Sequence, residues 1–488
     1  MTRTGLHRSI SLAAVGVTIA AGAAVSTTSA SAASATTAPA AHRAAARSDF
    51  DGDGKADIVA GAPGGNRVRV IYTRAQPGGT HSHWLTEPGG ANGAFGSALA
   101  AGDFNGDGFA DLAVGAPGYT NSDSVEQGAV FIFSGSKTGL HYSGKRFLGP
   151  NDFDNDNELG TSLAAGTINA DRFADLAIGN PGPAGGGDSE GSVLVLFGST
   201  TGLSLTGSTG IGSHTPVDQG DFGQSVLLVD VNGDGHKDLV VGEPGGGPAD
   251  PSPGGDIQVF YATATGIGAK HTTIVGSTVH AEGGFGTNLA GGDINGDGFA
   301  DVVAGAPSAT VGGMAEAGKV VVLIGAKHGL AATRRQVFSE ASSHIAGAVV
   351  STDRFGSSVA VGDLTGDGKA DVVIGAEGAV AAGQPAGGAI YLLRGGKSGA
   401  LAVGSRRITQ ATAGVPGVPV SGAEFGAAVA TIGTAADAHR NLLVGLPAKH
   451  QGGQVIELRG GAGGVSAHHA RLLKDAAPGD GLGSVLAL

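Results

Sequence analysis

The chain has no cysteine in 488 residues. Disulfides therefore stabilise nothing in it, and thiol catalysis and cysteine-ligated zinc are excluded. Aromatic residues are scarce, at 5%, and no helical period of any length appears after residue 33. The hydrophobic content of 41% falls in short Val/Ile/Leu/Ala runs punctuated by Gly and Pro. Such runs point to many short strands. Basic residues are also few, 29 Lys and Arg against 42 Asp and Glu. So acidic a chain is a poor candidate for nucleic acid or for anionic membrane surfaces.

Glycine is the opposite case. It makes up 92 of the 488 residues, far above the usual ~7%. The glycines fall at fixed offsets inside repeats, so the composition reflects repetition rather than low complexity.

The first residues read as a secretory signal. Arg3 and Arg8 supply a positive start, and Ile10 to Val25 is apolar and small. Ala30-Ser31-Ala32 fits a small-x-small cleavage site, which makes 1–32 the signal peptide. An uncleaved anchor is the alternative. Residues 33–47 are rich in Ala, Ser and Thr and read as a flexible lead-in. Nothing later is apolar enough to span a bilayer, so the remainder, 48–488, is expected to be secreted and extracellular, without a membrane span. Removing 1–32 moves the formal charge from −13 to −15.

Five stretches place oxygen-bearing side chains at positions 1, 3, 5 and 9 of a nine-residue loop. They are Asp49, Asp51, Asp53 and Asp57; Asp103, Asn105, Asp107 and Asp111; Asp230, Asn232, Asp234 and Asp238; Asp293, Asn295, Asp297 and Asp301; and Asp363, Thr365, Asp367 and Asp371. Glycines at positions 4 and 6 let the loop wrap with positive φ. A backbone carbonyl at position 7 and a bidentate carboxylate at position 9 bring the oxygen count to about six, which suits Ca2+. An EF-hand is rejected, because position 12 lies in an apolar strand in every copy. A sixth copy, Thr167, Asn169, Asp171 and Asp175, has Ala170 and Arg172 in place of both glycines and is a doubtful site. A seventh, Gly433, Ala435, Asp437 and Asn441, is expected to bind nothing.

The loops belong to a larger repeat. Phe-Gly precedes them at Phe95, Phe222, Phe285, Phe355 and Phe425, with Leu159-Gly160 as a variant, at spacings of 63 to 70 residues. After each loop comes an apolar strand ending in Gly-Ala-Pro, as at Gly61, Gly115 and Gly305, or a variant of it. The first unit lacks its Phe-Gly strand, and residues 482–488 supply such a strand with no loop after it. A linear solenoid does not need its two ends to complete one another, but a closed ring does. The expectation is an all-β, seven-bladed β-propeller closed by the C-terminal strand. In the second unit the strands are expected near Phe95–Ala101, Leu112–Gly115, Ala129–Phe133 and Lys145–Leu148. The phenylalanines are read as filler between blades.

Phe-Gly, the acidic loop and Gly-Ala-Pro together resemble the FG-GAP repeat family, which includes the N-terminal propeller of integrin α subunits. The resemblance covers roughly residues 48 to 488. It implies a seven-bladed propeller, calcium in the acidic loops and extracellular recognition, although such repeats also accompany enzymes.

No catalytic constellation is visible. Gly187-Asp188-Ser189-Glu190-Gly191 matches a nucleophile elbow but lies in a Gly-rich loop before a strand rather than a helix. The densest histidines are His81/His83 and His468-His469, read as exposed polar residues, since a zinc site needs three or four organised ligands. The loops after Gly-Ala-Pro vary in length and lie on the face opposite the acidic loops. Their candidates for recognition are Tyr119, Asp123, Glu126, Asp188, Glu190, Glu316 and Gln384. The function expected is a monomeric, calcium-stabilised binding or adhesion-type module for an extracellular protein or glycan. The alternative is a secreted polysaccharide-active hydrolase or lyase on the same scaffold.

Overall fold

The computed structural model describes residues 48–72, 81–90, 93–120, 127–149, 158–182, 191–214, 220–245, 254–433, 439–447, 452–473 and 479–487. The signal segment and lead-in, 1–47, lie outside the described residues, as do the candidates Asp123, Glu126, Asp188 and Glu190 and the seventh-loop residues Ala435 and Asp437.

Seven four-stranded antiparallel sheets form the blades of a β-propeller. The first blade contains Ile58–Ala62, Arg67–Tyr72 and His81–Thr86. Its innermost strand is Val485–Ala487, which pairs antiparallel with Ile58–Ala62 through Val59↔Ala487 and Gly61↔Val485. The other blades are continuous in sequence: 98–148, 162–212, 225–275, 289–338, 355–408 and 429–473 for blades 2 to 7. The described helices are one 3-10 turn, Pro63–Gly65, and one α turn, Gly276–Val279.

The core is seven separate layers, one in each gap between neighbouring blades. The layer between blades 1 and 2 packs Val59, Val68 and Val70 against Phe95, Val114 and Phe131. The layer between blades 7 and 1 packs Leu443 and Val455 against Ile58, Ala60 and Leu482. The residue of each Phe-Gly pair lies in the gap before its own blade. Phe95, Phe222, Phe285, Phe355 and Phe425 are all fully buried, and Leu159 and Leu482 take the same place in the remaining gaps. These residues are filler between blades, as the sequence suggests.

The glycines of the two motifs meet each other. A Cβ added to Gly61 would lie 2.2 Å from the carbonyl oxygen of Gly96, and the equivalent pairs around the ring fall between 1.9 and 2.3 Å. Within a blade, the Phe-Gly amide then donates to the Gly-Ala-Pro carbonyl, as Gly96 does to Gly115 at 2.9 Å. Blades therefore touch backbone to backbone near the axis, where any side chain would hold them apart.

The strands of blade 2 are Ala98–Gly102, Asp111–Ala116, Ala129–Ser134 and His141–Leu148. The inner one starts three residues later than the sequence pattern implies. Ala94 and Gly96 both take positive φ (56° and 98°), so Phe95 sits in a turn. Only in blade 6 does the strand begin at the phenylalanine, as Phe355–Gly362.

Candidate metal centres

In blades 2 to 6 each acidic loop joins the inner strand to the second strand, and in blade 1 the loop leads directly into the second strand, Ile58–Ala62. In the loop of blade 2, the position-1 carboxylate organises the backbone. Asp103 Oδ1 accepts from the amides of Gly106 at 2.6 Å and Asp107 at 3.2 Å, and Oδ2 accepts from Gly108 at 3.0 Å. Asn105 Oδ1 accepts from Asp107 at 2.8 Å, and Asp107 Oδ1 from Phe109 at 3.0 Å. Gly106 and Gly108 have φ of 72° and 89°, which L residues rarely adopt. Asp230 and Asp293 accept from their own position-4 and position-6 glycines at 2.7 and 2.9 Å, and Asp363 accepts from Gly368 at 2.9 Å. Asp49 accepts from Asp53 at 3.0 Å and Gly54 at 2.9 Å.

The position-9 carboxylate is more than a ligand candidate. Asp111 accepts from Phe104, at position 2, at 3.1 Å and from Gly135, beyond the third strand, at 3.0 Å. Asp238, Asp301 and Asp371 bridge the same two places, and Asp57 accepts from Phe50 at 3.0 Å. A carboxylate oxygen has two lone-pair directions, so these bonds leave acceptor capacity. Burial pushes Asp111 up to about 7 and Asp238 and Asp301 up to about 6, against the lowering effect of their amide bonds. Such carboxylates gain from a nearby cation, which favours the ionised form.

In the first loop three carboxylates converge. Asp49, Asp51 and Asp57 are buried and each offers an oxygen within 4.8 Å of the others. Asp53 completes that loop at position 5. The donors offered by all five loops are carboxylate, amide, hydroxyl and carbonyl oxygens, with no nitrogen or sulfur. That set fits a hard cation of the Ca2+ type.

The loops also link blade to blade. The carbonyl of Asp49 accepts from Ala110, in the loop of blade 2, at 3.0 Å, and the carbonyl of Asp103 accepts from Ala174, in the loop of blade 3, at 2.9 Å. The same position-1 to position-8 bond recurs through to Asp363 and Arg440 at 2.9 Å. Phe50 O accepts from Ser136 at 3.0 Å, which places the 136–139 turn on the acidic-loop face. The ring of Phe109 lies under Gly52, with a carbon 2.6 Å from where a Cβ would stand.

The doubtful loop of blade 3 keeps part of this frame. Asp175 bridges Ile168 at 2.8 Å and Gly198 at 2.9 Å. Arg172 lies over the Phe173 ring, 5.1 Å from its centroid. In blade 7, Asn441 Oδ1 accepts from Gly460 at 3.2 Å, while its amide donates to Glu457 at 2.9 Å. The bridge made by position 9 thus persists whole in blade 3, and in blade 7 its bond to the end of the third strand remains.

On the opposite face, Tyr119 is buried rather than presented to a partner. Its hydroxyl accepts from Arg146 at 2.6 Å and its ring packs on Phe131. Gln384 closes a tight turn through backbone bonds with Ala381. Glu316 is half-buried and pairs with Arg354. Of the nucleophile-elbow match, only Gly191 lies among the described residues. His83 stacks on Tyr72, and His468 and His469 stand exposed on an outer strand. The axial cavity, about 260 Å3, is lined by Leu, Ala, Val and Gly with Thr431.

Comparison with known proteins follows this division of the blades. A family profile described as FG-GAP repeat matches residues 41–80, 95–133, 222–260, 285–323 and 355–393. These are blades 1, 2, 4, 5 and 6, the five with complete acidic loops. The chain carries FG-GAP repeats. It is similar to phosphatidylinositol-glycan-specific phospholipase D of Homo sapiens, 35% identical over 170 residues, covering 32% of this chain and 20% of that protein. It is similar to integrin alpha pat-2 of Caenorhabditis briggsae, 34% identical over 220 residues, covering 41% and 17%. Integrin alpha-IIb of Mus musculus is 32% identical over 220 residues, covering 41% and 20%. The FG-GAP chain thus matches a fifth or less of the length of these relatives. Among its described residues no helix is long and apolar enough to cross a membrane.

Proposed function

We propose that this FG-GAP propeller is a secreted, calcium-loaded binding module of adhesion type, recognising an extracellular protein or glycan. The observation that carries the reading is the division of labour between its faces. The acidic loops are hydrogen-bonded to each other around one face, in a frame that leaves little freedom. The opposite face is built from loops of unequal length on the same rigid scaffold, the usual setting for binding specificity. Similarity to integrin α chains supports the same reading. In it, Ca2+ binds at the five complete loops, where it offsets repulsion among three or four carboxylates and strengthens the joints between blades. The ion has a structural part and is enclosed by protein oxygens.

A second reading is favoured by the similarity to a phospholipase D. The propeller would then serve an enzyme, acting on a polysaccharide or on another extracellular substrate. One experiment separates the two. A matrix-protein and glycan array probed with the purified chain in calcium, with turnover measured on every ligand retained, gives binding without turnover for the module. Calcium-dependent cleavage that is lost on substituting residues of the variable-loop face overturns it.

A further inference from the structure

The outer parts of blades 6 and 7 differ in charge from the rest of this acidic chain. No Asp or Glu occurs from 378 to 423 or from 458 to 474, while the first stretch carries four Lys and Arg and the second three. The two stretches meet in the gap between the blades. There the outer strand of blade 6, Gly399–Ile408, faces the turn 461–464 of blade 7, and Arg406 Nη1 donates to the Val465 carbonyl at 2.8 Å.

The turn after the third strand holds a glycine at the same place in blades 2 to 7: Gly139, Gly202, Gly266, Gly329, Gly399 and Gly464. A Cβ added to any of the first five would have a side chain of the preceding blade within 3.3 Å, from Tyr72, Lys145, Phe197, Tyr261 and Gln336 in turn. Over Gly464 the place is open. Arg394 Nη2 and Arg406 Nη1 stand 3.9 and 4.0 Å from that one point. Arg394 makes no hydrogen bond or ion pair among the described residues, and Arg406 makes only the bond to Val465.

Both arginines line a pocket of about 20 Å3 with Gly404, Gly463 and Gly464. One water needs ~10–15 Å3, so one or two oxygen atoms of a bound group fit inside. The rest of the group lies at the mouth, where Gly404 and Gly463 have nothing within 4 Å of a Cβ position. Asp371 also lines the pocket but is buried, and its oxygens take the amides of Leu364, Thr365 and Gly395 at 3.0, 3.1 and 3.0 Å. Two guanidiniums against one carboxylate turned to three amides leave the pocket positive. Like charges brought to one point repel, and an anion between them removes that cost.

We propose that Arg394 and Arg406 bind a tetrahedral oxyanion of the sulfate type in the gap between blades 6 and 7. A guanidinium fork takes two oxygens of one anion. Two forks from different strands need more oxygens than the two of a carboxylate, and a tetrahedral group has them. Arginine suits this better than lysine, whose ammonium is a point charge. The group has two possible sources, free inorganic sulfate and a sulfate ester on a glycan. The second source rests on the binding-module reading above and names the kind of glycan.

The test is calorimetric titration of the full chain in saturating calcium, with ionic strength held constant by chloride. The probes are inorganic sulfate, a sulfated uronic-acid disaccharide, and the same disaccharide desulfated, which keeps its carboxylate. The expected result is saturable 1:1 binding of inorganic sulfate, of the sulfated sugar, or of both, with no binding of the desulfated sugar. Which of the two binds identifies the source. Arg394→Gln weakens binding about ten-fold or more and leaves the anion-free melting temperature unchanged, since that side chain makes no bond in the fold. Arg459→Gln, which removes an exposed cation of the same basic stretch, leaves the affinity unchanged and separates the site from general surface charge. No saturable binding of either sulfate probe, equal affinity for the desulfated sugar, unchanged affinity in Arg394→Gln, or an equal loss in Arg459→Gln overturns the proposal. If it fails while the array still retains a ligand, the binding-module reading stands. If inorganic sulfate binds and the array retains nothing, that reading falls alone.

Discussion

The amide of Gly483 donates to the carbonyl of Gly61 at 3.0 Å, joining the two ends of the described chain in one blade. Gly61 in turn lies against the carbonyl of Gly96 in the next blade. Glycine is needed there because the neighbour is backbone, which cannot rotate away. Gly61→Ala and Gly115→Ala should each destabilise the protein by about 1–3 kcal/mol. Gly210→Ala, with nothing within 4 Å of the added atom, should stay within about 0.5 kcal/mol. Urea midpoints of the three variants measure the difference; equal shifts would remove the close-contact explanation.

Chelation tests the loops. EGTA should lower the melting temperature of the purified chain, and equilibrium dialysis should count five calcium ions per chain. Asp107→Ala is the informative substitution. Asp107 is exposed and its side chain holds only the Phe109 amide at 3.0 Å, whereas Asp103 holds three amides of the loop. The variant should bind one ion fewer with nearly unchanged stability in EGTA.

The loop of blade 3 offers the converse. Its backbone is already joined to the next blade, with Lys237 donating to Thr167 at 3.0 Å, and Asp171 and Asp175 are in place. Combining Thr167→Asp, Ala170→Gly and Arg172→Gly should add one ion to the dialysis count. An unchanged count would mean that ligand chemistry alone does not define the site.

Stability should also depend on pH through the buried acids. Glu243 accepts from Ser213 at 2.9 Å and from Gln258 at 2.6 Å. Burial, and then Asp256, push it from 4.5 up to about 8. The folded chain therefore holds this proton more tightly than the unfolded chain. The stabilising contribution is complete below about pH 4.5 and is lost as pH rises through about 8. Glu243→Gln should flatten the fall in melting temperature over that interval at constant calcium. A slope identical to the parent's would contradict it. Glu340, shifted in the same direction, leaves part of the slope in place.

The ring, its closure and the buried phenylalanines were legible because each rests on a local motif repeated at a fixed spacing. The start of the inner strand was not, since an apolar Phe-Gly pair reads as strand while Ala94 and Gly96 turn the chain. Tyr119 was misplaced for a related reason. A tyrosine in a loop looks available until Arg146 and Phe131 are brought to it from the outer strands. The bridging by Asp111 and the bond from Ala110 to Asp49 were invisible because their partners lie in other strands and other blades. The pocket between blades 6 and 7 takes Arg394 and Arg406 from different strands and Gly464 from another blade, so only the assembled ring places them together.

The strand Val485–Ala487 has a bearing on how the molecule is made. Whatever part of the ring forms first during synthesis, Ile58–Ala62 waits with one edge bare until the final blade strand leaves the ribosome. An open strand edge invites pairing with other chains. The protein is therefore exposed to aggregation until Val485–Ala487 has been added to the first blade. A chain released early would carry that open edge permanently, as a mark by which quality control could tell it from a finished molecule.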